Sequence, residues 1–214
     1  MLTNNFDKNL LFLNLTVEDV EKLKKSKILL VGDMPALKTN IANFVELKIG
    51  QIGVFSENTK AIEEFFQKGS FETVLHIYKT TNNNLTNIIE DYDIIIDCFK
   101  NFEDKFLLNT LAKKKQKTFV FSSISKEQGQ VALIIPNKTA CLECMFPKTT
   151  NIDAVEYNID CISNAIAAIQ SDLALKTLLN IKDNLDVCLL TYDVTTLQCN
   201  QIVLTKNMDC PLCK

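Results

Sequence analysis

"KILLVGDMPALKTNIANF", residues 27–44, decides the fold. Its first six residues are an apolar run closed by Gly32, as expected of a strand buried on both faces of a parallel sheet. Residues 36–47 follow with apolar side chains at Leu37, Ile41, Phe44, Val45 and Leu47, near helical spacing. Strand, tight turn and helix are the opening of a nucleotide-binding domain. The turn itself departs from that pattern. A dinucleotide loop carries three glycines so that the backbone can approach phosphate. Only Gly32 is present here, followed by Asp33, Met34, Pro35, Ala36 and Leu37. Met34 and Leu37 put side chains where backbone should meet phosphate, and Pro35 removes an amide donor.

Outward from this unit, strand and helix alternate. Upstream, Thr16 followed by Asp19 predicts a capped helix over "TVEDVEKLKKS". Downstream, the pattern predicts strands at 51–55, 71–78, 92–99 and 118–123, and helices at 59–69 and 103–117. The Asn-rich "TTNNNLTN" reads as a loop or a helix entry. Such alternation predicts an α/β fold: a doubly wound, mainly parallel, Rossmann-like sheet. After residue 129 the pattern changes to a strand at 130–136, a long apolar helix at 161–180 and two strands within 187–204 that turn near Thr195 and Thr196. We read residues 1–214 as one domain. Residues 1–25 form an N-terminal helical arm, and 137–214 complete the domain with C-terminal antiparallel strands.

Composition narrows the function. With 47% apolar and 23% charged residues and a net charge of −3, the chain has no basic field for nucleic acid or an anionic membrane. Leu10–Leu15 is too short for a membrane span and lacks the flanks of a signal peptide, so a cytoplasmic protein is expected. All 23 basic side chains are lysine, which leaves no guanidinium fork to clamp phosphate or carboxylate. The single histidine, His76, lies in a strand-like stretch and reads as structural.

Eight cysteines are many for such a chain. Cys141 and Cys144 form one C-x-x-C pair, Cys210 and Cys213 another. A two-residue spacer lets both sulfurs of a pair point at one ion, and four soft thiolates suit zinc in a closed, structural site. A redox dithiol, two disulfides and iron–sulfur ligation are the other uses of such pairs. Cys98, Cys188 and Cys199 fall in strands and read as small core residues. Cys161 opens the long helix, where the helix dipole favours a thiolate.

Several segments together resemble the ThiF/MoeB/HesA family, bacterial relatives of ubiquitin-activating enzymes. They are "EKLKKSKILLVG", "LKIGQIGVFSEN", "DCFKNFEDKFLLN", "EQGQVALIIPNKTACLECMFP", "DCISNAIAAIQSDLALKTLL" and "MDCPLCK", in family order. The resemblance implies a homodimer that binds ATP and adenylates the carboxyl end of a small ubiquitin-like (β-grasp) sulfur carrier in thiamine- or molybdopterin-type sulfur transfer. It implies Cys141, Cys144, Cys210 and Cys213 as zinc ligands and Gly32 as the remnant of the cofactor loop. It also places Cys161 where the thiazole-pathway branch joins the carrier covalently.

The departures from the family gather in the ATP site. Ser56 and Asn58 stand where the family has acids after its second strand, and no Asn-Leu-x-Arg-Gln segment occurs between Glu57 and Gly69. In the Asp-x-Thr-Asp-Asn-x-x-x-Arg segment, the magnesium-binding aspartate falls on Lys100. Adenylation needs positioned charge on a triphosphate–magnesium complex. The fold and the zinc are therefore expected to be kept, with ATP and magnesium chemistry weakened or lost. The alternatives are an inactive member that binds a carrier or pairs with an active paralogue as a scaffold, and a fully active adenylyltransferase. A nucleotide-dependent oxidoreductase fits neither the broken loop nor the knuckles.

Overall fold

The computed structural model describes residues 15–33, 35–81, 84–125, 127–146, 160–181 and 188–214. Met34 and the patch at 10–14 lie outside these residues.

Eight strands form one sheet in the order β3-β2-β1-β4-β5-β6-β7-β8. They are β1 Lys27–Gly32, β2 Gln51–Ser56, β3 Val74–Lys79, β4 Ile94–Cys98, β5 Thr118–Ser125, β6 Gln128–Ile134, β7 Cys188–Asp193 and β8 Gln198–Val203. The first five pair in parallel, as the alternation predicts. From β5 onward each pair is antiparallel, which the C-terminal pattern also anticipates. The chain reverses direction in the sheet between β1–β2–β3 on one side and β4–β5 on the other. In open α/β sheets the crevice at such a switch, outside the carboxyl ends of the strands, is where ligands bind.

Side-chain alternation splits the core into two layers. Ile28, Leu30, Ile52, Val54, Ile94 and Ile96 face one side, where they pack with Phe44, Ile162, Ile166 and Leu173. Leu29, Val31, Ile95, Phe119 and Phe121 face the other and pack with Leu108 and Ala112. The first layer is covered by α1 (Val17–Lys25), α2 (Ala36–Glu46), α3 (Lys60–Lys68) and α7 (Asp160–Leu179). The second is covered by α4 (Leu85–Ile88), α5 (Phe102–Lys114) and α6 (Leu142–Met145). Each fully buried Leu, Ile or Phe contributes about 1.5–3 kcal/mol relative to exposure. These two layers are thus the main favourable term of the fold.

Local chemistry sets the element ends. Thr16 and Asp19 form the expected capping box of α1. Asn101 caps α5 through the N–H of Asp104, and Lys113 and Lys114 sit in its last turn, where cations suit the dipole. β3 begins at Val74 rather than at 71, as the sequence pattern suggested. The reason is tertiary: Phe71 stacks on Phe65 at 5.3 Å and meets Phe66 edge-on at 5.1 Å, so it leaves the strand path. The Asn-rich stretch resolves into the one-turn helix α4, capped by Asn84.

A buried polar seam joins α2 to α7. Asn40 Nδ2 donates to Gln170 Oε1 at 3.0 Å, and Ser171 Oγ donates to Asn40 Oδ1 at 3.0 Å. Gln170 Nε2 continues to the carbonyl of Asp97 at 2.9 Å. Every partner is satisfied, so the seam fixes the register of the two helices at little cost. His76 lies exposed on the edge strand β3, with its ring stacked beside Tyr78.

Candidate functional site

Two regions carry chemistry, and the cysteines come first. The knuckle of Cys141 and Cys144 lies at the start of α6, and the knuckle of Cys210 and Cys213 lies in the C-terminal tail. Each folds as a tight turn: the N–H of Cys144 donates to the carbonyl of Cys141 at 3.0 Å, and that of Cys213 to Cys210 at 3.2 Å. The fold brings the two turns together, so that all four sulfurs lie within 4.8 Å of one another. Cys141–Cys144 and Cys144–Cys213 are 3.7 Å apart and Cys141–Cys210 3.5 Å. A zinc ion with Zn–S bonds of about 2.3 Å requires tetrahedral edges of roughly 3.8 Å. The spacing fits a tetrahedral thiophilic cation and is far from the ~2 Å of a disulfide. Asn207 adds an N–H···S bond to Cys144 at 3.4 Å, of the kind that orients a ligand sulfur. Cys141 and Cys210 are buried, and burial pushes the Cys141 thiol up, so a bound cation must displace protons here. Among the described residues this is the one such group of His, Cys, Asp or Glu.

The second region is the crevice at the switch point. A cleft of about 540 Å³ opens there, lined on its polar side by Asp33, Glu57, Thr80, Lys100, Asn101 and Asp104. Its floor is apolar, from Phe55, Leu85, Leu108 and Leu111. The turn after β1 is closed over the end of β2. Asp33 Oδ1 accepts the N–H groups of Glu57 and Asn58, both at 3.1 Å, and the hydroxyl of Ser56 donates to the same oxygen. The position where the sequence lost an acid, Ser56, is thus served by an acid from the facing turn.

Gly32 has φ of +119°, and a Cβ there would lie 2.3 Å from the backbone carbonyl of Cys98. The fold therefore requires glycine at this point whether or not a nucleotide approaches. Leu37 corrects a sequence expectation. Its side chain is buried in the core layer under α2, not in the turn, because its helical phase points it at the sheet.

The Asp-x-Thr-Asp-Asn-x-x-x-Arg segment ends on Lys105, which the sequence reading passed over. Lys105 Nζ lies 3.0 Å from Asp97 Oδ2, with the two side chains 1% and 0% exposed. It also donates to the carbonyl of Phe99 and sits 5.7 Å from the Phe121 ring centroid. Burial pushes the Asp97 carboxyl up, while Lys105 and the N–H groups of Phe99 and Ser122 pull it back. Lys105 points into the core and leaves Lys100 as the one cation lining the cleft among the described residues.

The remaining cysteines divide. Cys98 is buried, as expected, and burial raises its thiol. Cys199 is exposed, against expectation, because β8 is an edge strand whose six residues are all exposed. Cys188 lies in β7, and its side chain falls outside the described residues. Cys161 is exposed in the first turn of α7. One turn on, Asn164 accepts a hydrogen bond from Thr39 of α2 at 2.6 Å, so the two helix starts lie side by side. Among the described residues no helix is long and apolar enough to cross a membrane.

These features define a doubly wound α/β protein whose C-terminal segment is drawn back to the body by a four-cysteine cluster. The ThiF family model matches residues 57–212, and the chain belongs to that family. Protein HesA (heterocyst) of Trichormus variabilis is 27% identical over 168 residues, covering 77% of this chain and 61% of that protein. The sulfur carrier protein adenylyltransferase of Thermus thermophilus is 28% identical over 145 residues, covering 63% of this chain and 54% of that protein. The chain thus spans roughly half to three fifths of the length of these relatives. Among solved structures, E. coli MccB with ATP shares the fold, with a TM-score of 0.80 at 14% identity over 99% of this chain and 75% of that one.

Proposed function

We propose that this chain binds a small ubiquitin-like sulfur carrier while its own ATP adenylation is weakened or lost. The observation that carries this reading is the charge of the crevice. Among the described residues, three carboxylates, Asp33, Glu57 and Asp104, line it against the single Lys100. A triphosphate is held by amide donors and cations. Here Pro35 lacks the amide, Asp33 consumes two N–H groups, and Lys105 is withdrawn into the core. Lys100 at the magnesium position repels the metal that would bridge the phosphates. The four cysteines are proposed to hold a structural zinc, with no open position for catalysis. Family membership and the relative named for its sulfur carrier support a carrier as the partner. Within the carrier reading, Cys161 is the group proposed to take the carrier covalently: its thiol attacks a carrier carboxyl already activated as an acyl-adenylate by an active paralogue, the acyl–phosphate bond breaks, and a thioester forms with release of AMP and the thiol proton. A homodimer, or a pair with an active paralogue, is the proposed assembly.

The test is carrier-dependent ATP–pyrophosphate exchange by the purified chain, together with calorimetry of Mg-ATP and of a β-grasp carrier. Carrier binding without exchange is expected. One observation favours a second reading, a fully active adenylyltransferase: the cleft of about 540 Å³ persists at the position the fold reserves for ligands. Robust exchange would establish that reading and overturn the first.

A further inference from the structure

Asn109 lies on the buried face of α5 and is 1% exposed. Its Oδ1 accepts the backbone N–H of Leu142 at 3.0 Å. Leu142 sits inside the first knuckle, directly after the ligand Cys141. A backbone N–H can only donate, so the amide oxygen must face Leu142 and the amide nitrogen must face away. That nitrogen is buried and has no hydrogen-bond partner among the described residues. An amide NH₂ sealed from water without an acceptor is costly, and native structures seldom leave one so.

A place for its partner exists. A cavity of about 10 Å³ is lined by Asn109, Thr139, Cys141 and Cys213, with Phe119 and Ile134 among its apolar walls. That volume is about one water molecule. Two of the four cysteines therefore line a one-water space together with Asn109, with Lys113, Lys117 and Asn137 as its other polar walls. Four thiolates around a divalent cation carry a net charge of −2, and donors aimed at the sulfurs relieve it.

We propose that Asn109 is a positioning residue of the metal centre. Its Oδ1 fixes the first knuckle, and its Nδ2 donates, through one buried water, to the sulfur of Cys141 or Cys213. The inference rests on the reading that the four cysteines hold a metal.

The experiment compares zinc affinity, by chelator competition, in the wild-type chain and in Asn109→Asp. The variant keeps an oxygen for Leu142 but replaces the donor with negative charge. Its zinc affinity is expected to fall about 10- to 100-fold, the range found when outer partners of ligands are removed. Its cobalt(II) form is expected to show a shifted thiolate-to-metal charge-transfer band, which a purely structural role would leave unmoved. Asn109→Ser, smaller and neutral, carries the same test if Asn109→Asp does not fold. Zinc affinity within about twofold of wild type and an unchanged cobalt band would overturn the proposal. So would a crystal structure of the zinc-loaded wild type with the cavity dry. A wild-type chain that takes up no zinc overturns the metal reading as well, which separates the two failures.

Discussion

Lys105 and Asp97 form an ion pair of 3.0 Å between two side chains that water does not reach. The pair is an internal brace between α5 and the end of β4. Breaking one side of such a brace leaves a charge buried and unpaired. Lys105→Met is expected to cost about 3–5 kcal/mol in urea unfolding at neutral pH. The cost is also expected to shrink on acidification. Without Lys105 the folded carboxyl, already pushed up by burial, lies further above its unfolded value. A group raised in this way is least costly below its unfolded pKa and destabilises as pH rises through the folded one. Unfolding of the variant at stepped pH from neutral toward 4 checks the sign. A deficit that grows on acidification would refute it.

Gly32 offers a second test. Its φ of +119° and the 2.3 Å approach to Cys98 both exclude a side chain. Gly32→Ala is expected to destabilise by at least ~2 kcal/mol, through backbone strain and the forced separation of β1 from β4. Because the contact is internal, the loss should be the same with and without Mg-ATP in thermal unfolding. A loss that nucleotide binding rescues would instead give this glycine a ligand role.

Asp33 ties the turn after β1 to the first residues after β2. Asp33→Ala frees two N–H groups and a hydroxyl at a partly exposed site, so a loss of only ~1 kcal/mol is expected. Removing this carboxylate also lowers the negative charge of the crevice. Titration with Mg-ATP should show the variant binding no more weakly than the wild type. Weaker binding would mean that Asp33 serves the nucleotide.

The contrast between what the sequence showed and what it hid follows from range. β1, β4 and α2 were legible because burial imposes a local period, and the clustered cysteines because a two-residue spacing is itself the geometry of a knuckle. The start of β3 was not legible, since Phe71 is taken from the strand by Phe65 and Phe66. Nor was the exposure of Cys199, which depends on β8 being the sheet edge. The link between Asp33 and Ser56 spans 23 residues and joins the ends of adjacent strands. Only the strand order reveals it. Lys105 and Asp97 are 8 residues apart, yet nothing in their types shows that both are buried.

Cys161 separates a reactive role from an inert one. It is exposed in the first turn of α7, so Cys161→Ser should change stability by no more than about 0.5 kcal/mol. If the chain takes a carrier covalently, the adduct on a non-reducing gel should vanish in this variant and persist in Cys199→Ser, the other exposed cysteine outside the four-cysteine cluster among the described residues. An adduct that survives Cys161→Ser clears the residue of the role.

Metal removal tests the cluster as a whole. The knuckles join residues 69 apart in the chain, Cys141 to Cys210, so a cation bound only by the folded state stabilises it by linkage. At a free zinc level about 1,000-fold above Kd that linkage amounts to ~4 kcal/mol, or roughly 8–15 °C in Tm for a chain of this size. Treatment with a chelator is expected to lower Tm by that order, and Cys144→Ser to abolish the difference between loaded and stripped protein. The direction with pH follows from the thiols. Burial holds the Cys141 thiol protonated when no metal is present, so uptake releases protons and affinity rises with pH. Acidification should therefore release the metal, and zinc added to the stripped chain in weak buffer should acidify the solution. A Tm indifferent to chelator, with no proton release on adding zinc, would leave the four sulfurs as a packed thiol cluster and nothing more.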